Sequence, residues 1–122
     1  MTKAEHMSDS IWHQVIAADA FPEEGKLAAT IGGWQLLVVN DEGRFFAYND
    51  VCSHQASRLS TGRVRRGTIM CPLHGARFKV ENGECLGGAY PALRQFPVRI
   101  EDGMILVELP DRQPGAGEAP QD

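Results

Sequence analysis

No stretch of this 122-residue chain places apolar residues at helical spacing over about eleven or more positions; its apolar residues come in short runs cut by 13 glycines and 7 prolines. Such runs, bounded by turn-forming residues, read as β-strands, because Gly, Asn and Asp tolerate the positive φ of tight reversals. Strands are expected at 12–17, 26–31, 34–39, 44–49, 68–70, 77–80, 96–101 and 104–109. Reversals are expected at Gly32-Gly33, Asp41-Glu42-Gly43, Glu81-Asn82-Gly83 and Asp102-Gly103, the last joining two apolar runs by a two-residue loop. A single helical turn is expected within 19–24, with Asp19 as its cap. The fold class is therefore mostly β, and the length suits one domain with one modest core.

The ends differ from the middle. Residues 110–122, PDRQPGAGEAPQD, hold no large apolar side chain and so cannot offset their ordering entropy. A disordered tail is expected there, and a flexible N-terminus over 1–10. The formal charge of -4 argues against nucleic acid or an anionic membrane as the main partner. Residues 1–10 carry no apolar signal segment and no window approaches the roughly 18 apolar residues of a membrane span, so a cytoplasmic location is expected.

Only three cysteines occur, Cys52, Cys71 and Cys85, which suits metal binding better than a disulfide framework. Two of them sit in short motifs with histidine: Cys52-Ser53-His54 and, after sixteen intervening residues, Cys71-Pro72-Leu73-His74. Each motif offers one thiolate and one imidazole from a turn-prone loop. Two soft and two borderline ligands suit tetrahedral zinc or an iron–sulfur cluster whose irons are ligated differently. Structural zinc sites mostly draw ligands in like pairs, whereas each loop here carries one of each kind. His6 and His13 lie outside the motifs and read as surface or strand histidines. Cys85 has no second partner nearby and reads as a small buried apolar residue.

The pair CSH and CPLHG resembles the signature of Rieske 2Fe-2S proteins, in which two cysteines hold one iron and two histidines the other. Gly75 after the second histidine, Phe78, the stretch GGAYPAL, similar to that family's proline loop, and the hairpin around Asp102-Gly103 extend the resemblance over roughly 12–109, most of the chain. It implies a Rieske-like fold of stacked antiparallel sheets spanning 11–109, with a small cluster-binding subdomain at about 50–92 carrying two ligand loops. It also implies one 2Fe-2S cluster per chain, held by Cys52, His54, Cys71 and His74. Pro72, Gly75 and Pro91 would shape loops that exclude water.

Two ferric ions, two sulfides, two thiolates and two neutral imidazoles sum to zero charge, and one added electron gives -1. Histidine in place of two thiolates thus eases reduction and lifts the potential to about -150 to +300 mV. High-potential relatives add a disulfide between the loops and hydroxyl donors to the cluster sulfurs. By offset from the ligands the corresponding positions here are Ser57, Leu73, Ala76 and Phe78, which can supply neither the disulfide nor those bonds. A potential at the low end, on the order of -150 mV, is expected.

Charge is unevenly spread. Residues 52–80 hold six basic residues, Arg58, Arg63, Arg65, Arg66, Arg77 and Lys79, and no acid, so the remainder carries -10. This pattern offers either an electrostatic dipole aimed at acidic partners or ordinary solvated arginines.

The resemblance implies a one-electron carrier, not an enzyme, taking electrons from a flavin-dependent NAD(P)H reductase and passing them to a terminal oxygenase that hydroxylates aromatic rings. Alternatives are a Rieske small subunit of a larger oxidoreductase such as nitrite reductase, and a zinc-stapled module. An oxygenase catalytic chain is disfavoured, because no histidine follows His74 to build a second iron site. No G-x-G-x-x-G marks a nicotinamide or flavin site, so the reductase must be a separate protein.

Overall fold

The computed structural model describes residues 10–52, 58–72 and 75–120. Its ten strands are β1 (Ser10–Ala17), β2 (Lys26–Ile31), β3 (Trp34–Asp41), β4 (Arg44–Asn49), β5 (Arg63–Arg65), β6 (Thr68–Met70), β7 (Arg77–Lys79), β8 (Gln95–Phe96), β9 (Val98–Glu101) and β10 (Met104–Pro110). They form three antiparallel sheets, ordered β1-β10-β9, β2-β3-β4-β8 and β5-β6-β7.

The sequence of β3 dictates how these sheets stack. Successive strand side chains point to opposite faces, and in Trp34-Gln35-Leu36-Leu37-Val38-Val39 both faces are apolar. Trp34, Leu36 and Val38 enter one core, while Leu37 and Val39 enter a second. β4 repeats the division, with Ala47 in the first core and Tyr48 in the second. A sheet apolar on both faces needs a layer on each side. On one side β10 supplies Ile105, Val107 and Leu109; on the other the small sheet supplies Ile69 and Phe78, joined by Cys52, Leu59, Cys71, Val80 and Leu93. The expected stacked antiparallel sheets are present.

Where structure and expectation part, local chemistry gives the reason. The run 96–101 is two strands, because Pro97 cannot donate within a ladder: Gln95 and Phe96 pair with β4, then Val98–Glu101 pair with β10 in another sheet. β5 was not expected, since its turn to β6 is Arg66-Gly67 with φ of 51° and 75°. Arginine seldom occupies the left-handed region, so no turn signal stood there. Asp102-Gly103, with φ of 52° and 77°, is the tight reversal its sequence announced. The helical turn is a 3-10 turn at Ala18–Ala20; Asp19 lies within it and does not cap it.

The expectation for 110–122 is disorder, whereas residues 112–118 carry defined contacts. Trp34 Nε1 donates to the Arg112 carbonyl at 2.9 Å and the Arg112 guanidinium stacks 5.2 Å from the Trp34 ring centroid. Glu118 accepts from Arg112 at 2.8 and 3.0 Å and from Arg94, which itself stacks over Trp34 and Phe96. Cation–π and charge-assisted contacts thus replace apolar burial, a substitution that composition does not reveal. Among the described residues no helix is long and apolar enough to cross a membrane.

Candidate metal centre

Cys52 stands just past the end of β4, in the connection that leads to β5. That connection is anchored at both ends by polar contacts to the body. Asp50, 1% exposed, accepts from the Ser60 backbone N–H at 2.7 Å and from Ser60 Oγ at 2.6 Å, with Arg58 Nη1 4.0 Å away. Arg58 also donates to Gln35 of β3, and the Asp50 N–H donates to the Gln35 carbonyl at 2.9 Å. Lys26 of β2 reaches across to donate to the Ser60 and Gly62 carbonyls at 2.6 and 2.8 Å. Each buried polar group in this clamp is satisfied, which fixes where the segment starts and where it returns.

Cys71 follows β6 directly, and its loop is closed by the Cys71 N–H donating to the Ala76 carbonyl at 2.8 Å. Gly75 donates back to the Cys71 carbonyl at 3.2 Å and has φ of 71°, a conformation that its missing Cβ permits. The two loops are pressed together at their bases: a Cβ on Gly62 would lie 1.9 Å from the Met70 carbonyl oxygen. Only a residue without a side chain fits between them.

The consequence is that Cys52 and Cys71, 2% and 1% exposed, enter the same apolar cluster from different loops, together with Leu59, Ile69, Phe78 and Leu93. Two thiols buried in one apolar cluster suit one thiolate-ligated ferric ion, because a thiolate there is stabilised by metal rather than by water. The donor set fits the implied cluster on its cysteine side. His54 and His74 lie outside the described residues, as do Ser57, Leu73 and His6.

The remaining sequence-marked residues fall as follows. Phe78 is wholly buried in the cysteine-containing core and Ala76 packs beside it, so neither presents a hydroxyl. Cys85 is half-buried against the same core, bridged to Phe78, with Sγ 3.4 Å from the Leu86 carbonyl. Pro72 and Pro91 are exposed, while Leu93 at the end of the proline-containing stretch is buried. His13 lies in β1, beside the Gly32 turn. Sequence reasoning missed the Asp50–Ser60–Lys26 clamp, since its members are common residue types brought together only by tertiary structure.

Tyr48, buried beneath the cysteines' core, donates its hydroxyl to the Val80 carbonyl. Burial, reinforced by the nearby Glu81 charge, raises its pKa far above the usual phenol value, so it is a permanently protonated donor. On the opposite face of the small sheet the charge is positive: Arg63, Arg65, Arg77 and Lys79 are all exposed.

Residues 11–99 match the family described as the Rieske [2Fe-2S] domain. The chain is 32% identical over 99 residues to the ferredoxin component of a naphthalene 1,2-dioxygenase system from Pseudomonas aeruginosa, covering 80% of this chain and 95% of that one. It is 36% identical over 90 residues to the ferredoxin component of an alkene monooxygenase system from Xanthobacter autotrophicus, covering 73% of each. Among solved structures, one titled as a complex of reduced oxygenase and oxidised ferredoxin in carbazole 1,9a-dioxygenase matches with a TM-score of 0.73 and 27% identity, over 87% of this chain and 98% of the other. With the fold, two cysteines buried in one core and a match over most of its length in agreement, the chain belongs to the Rieske 2Fe-2S family, and its cofactor is a Rieske-type 2Fe-2S cluster.

Proposed function

We propose that this chain is a one-electron carrier that takes electrons from a flavin-dependent NAD(P)H reductase and delivers them to a terminal ring-hydroxylating oxygenase. The observation that carries this reading is the burial of Cys52 and Cys71 in one apolar core, in a chain that matches nearly the whole length of a dioxygenase-system ferredoxin. The bound cluster supplies reversible uptake of one electron. Cys52 and Cys71 would hold one iron, and His54 and His74 the other. The apolar side chains of Leu59, Ile69 and Phe78 exclude water around the cysteines, and the Asp50 clamp fixes the first loop. The cytoplasm, where NAD(P)H is available to the reductase, is the proposed location.

The test is electron paramagnetic resonance of the dithionite-reduced protein followed by a redox titration. A rhombic signal with a low average g value, titrating near -150 mV, is the expected result. A potential above zero would refute the argument from Ser57, Leu73, Ala76 and Phe78. A colourless, zinc-containing protein would overturn the carrier reading, and a stable stoichiometric complex with a larger oxidoreductase would replace a diffusing carrier with a bound subunit.

A further inference from the structure

The outer face of the β5-β6-β7 sheet is basic, and among the described residues its cations Arg63, Arg65, Arg77 and Lys79 are exposed. Register sets its pattern: Val64, Ile69 and Phe78 are cross-strand partners facing the core. Their neighbours must therefore face outward, in two rows. Arg63, Met70 and Arg77 form one row; Arg65, Thr68 and Lys79 form the next. With Arg66 at the turn, the arginines surround an open pocket of about 230 Å³ over Thr68 and Met70. Lys79 faces Glu84 at 3.8 Å, but among the described residues Arg63, Arg65, Arg66 and Arg77 have no ion pair. Four exposed guanidiniums close together repel one another, so the arrangement costs stability unless an external anion meets it.

This face is continuous with a cluster loop. Met70 immediately precedes Cys71, and Arg77 immediately follows Ala76, whose carbonyl closes that loop. A protein seated on the two rows therefore lies against the backbone that holds the cysteine ligand.

Resting on the carrier reading above, we propose that this face is the docking surface for an acidic patch on the reductase. Charge complementarity identifies the chemistry: planar guanidiniums bind Asp and Glu carboxylates in bidentate fashion, and the pocket admits such a side chain. The charge change on reduction identifies the donor. The oxidised site is neutral and the reduced site carries -1, so an acidic surface is held more strongly before the electron arrives than after. A donor must bind the oxidised carrier and release the reduced one; an acceptor requires the opposite preference.

The experiment compares the wild-type holoprotein with the Arg63→Gln/Arg65→Gln/Arg77→Gln variant, whose substituted side chains are exposed and outside the core. The reductase used is a flavin-dependent one that reduces the wild-type chain with NADH. At low ionic strength the variant's second-order reduction is expected to slow by about tenfold or more and to lose most of its salt dependence. Calorimetry with the same reductase is expected to show tighter binding to oxidised than to dithionite-reduced wild type, and weakened binding to the variant. Wild-type rate and salt dependence in a variant with an intact rhombic signal would overturn the docking surface and leave the carrier reading standing. Tighter binding of the reduced form would overturn the assignment to the donor. Absence of the rhombic signal in wild type would overturn the carrier reading itself, and the docking proposal with it.

Discussion

Asp50→Ala tests whether the first loop is held in place by its buried carboxylate. That carboxylate accepts two hydrogen bonds, from the Ser60 N–H at 2.7 Å and Ser60 Oγ at 2.6 Å, and it is 1% exposed. Hydrogen bonds to a charged group contribute about 1.5–3 kcal/mol each, and removal strands a buried donor, so the substitution should cost about 3–5 kcal/mol. With a urea slope of about 1–3 kcal/mol/M, the unfolding midpoint followed by circular dichroism should fall by roughly 2 M. Ser60→Ala deletes only the hydroxyl bond and should cost less, about 1.5–2 kcal/mol. In the Asp50→Ala background its cost should nearly vanish, because the acceptor is already gone. Cluster absorbance should also decay faster in Asp50→Ala, since Cys52 lies two residues beyond the clamp. A midpoint shift below about 0.5 M, or additive costs in the double variant, would refute the claim that this pair fixes the loop.

Three further outcomes follow from other contacts. Cys71→Ser should abolish the visible colour and the rhombic signal, whereas Cys85→Ser, at a half-buried position outside the motif, should retain both; iron analysis and spectroscopy separate the two. Tyr48→Phe leaves the Val80 carbonyl without its donor, and should cost about 1–2 kcal/mol, lowering the melting temperature by about 4–8 °C. The hydrogen bond from Arg112, then the Gly115 N–H, holds the Glu118 carboxyl down at about 2 against its ordinary 4.5. A depressed folded-state value means the docking of residues 112–118 is fully stabilised above about pH 4.5 and is lost as pH falls through about 2. The near-ultraviolet circular dichroism of Trp34, on which Arg112 stacks, should report that loss, and Glu118→Gln should show it already at neutral pH.

The layered fold was legible where a single strand carries its own instructions. The run 34–39 is apolar on both faces, and the structure puts a core on each. Turns were legible when made of Gly with Asp or Glu, as at Asp102-Gly103, and silent at Arg66-Gly67, where the surrounding sheet imposes a positive φ on an arginine. With that turn unseen, β5 stayed hidden. Pro97 was visible as a residue, but its role as the crossing point between two sheets depends on which strand lies beside each half of the run. The contacts of 112–118 escaped for a related reason: Arg112 and Glu118 are ordinary solvent-compatible residues until Trp34 and Arg94 are placed next to them.

The site divides along the same line between local and tertiary information. Cysteine with histidine two or three positions on is a local pattern, because one loop must present both ligands, and so the motifs stood out from the sequence. The clamp behind them joins Lys26, Asp50 and Ser60 across 10 to 34 positions of chain and has no spacing to recognise. The basic segment is an intermediate case. Its sign was countable from residues 52–80, but a count does not say whether six cations are scattered or gathered. Cross-strand register decides this: three strands of three residues, each with an apolar middle residue held in the core, turn the flanking cations onto one face. The same pairing that buries Ile69 and Phe78 beside the cysteines therefore creates the charged surface outside them, so a substitution that slipped this register by one residue would bury the arginines and expose the cluster's apolar wall together.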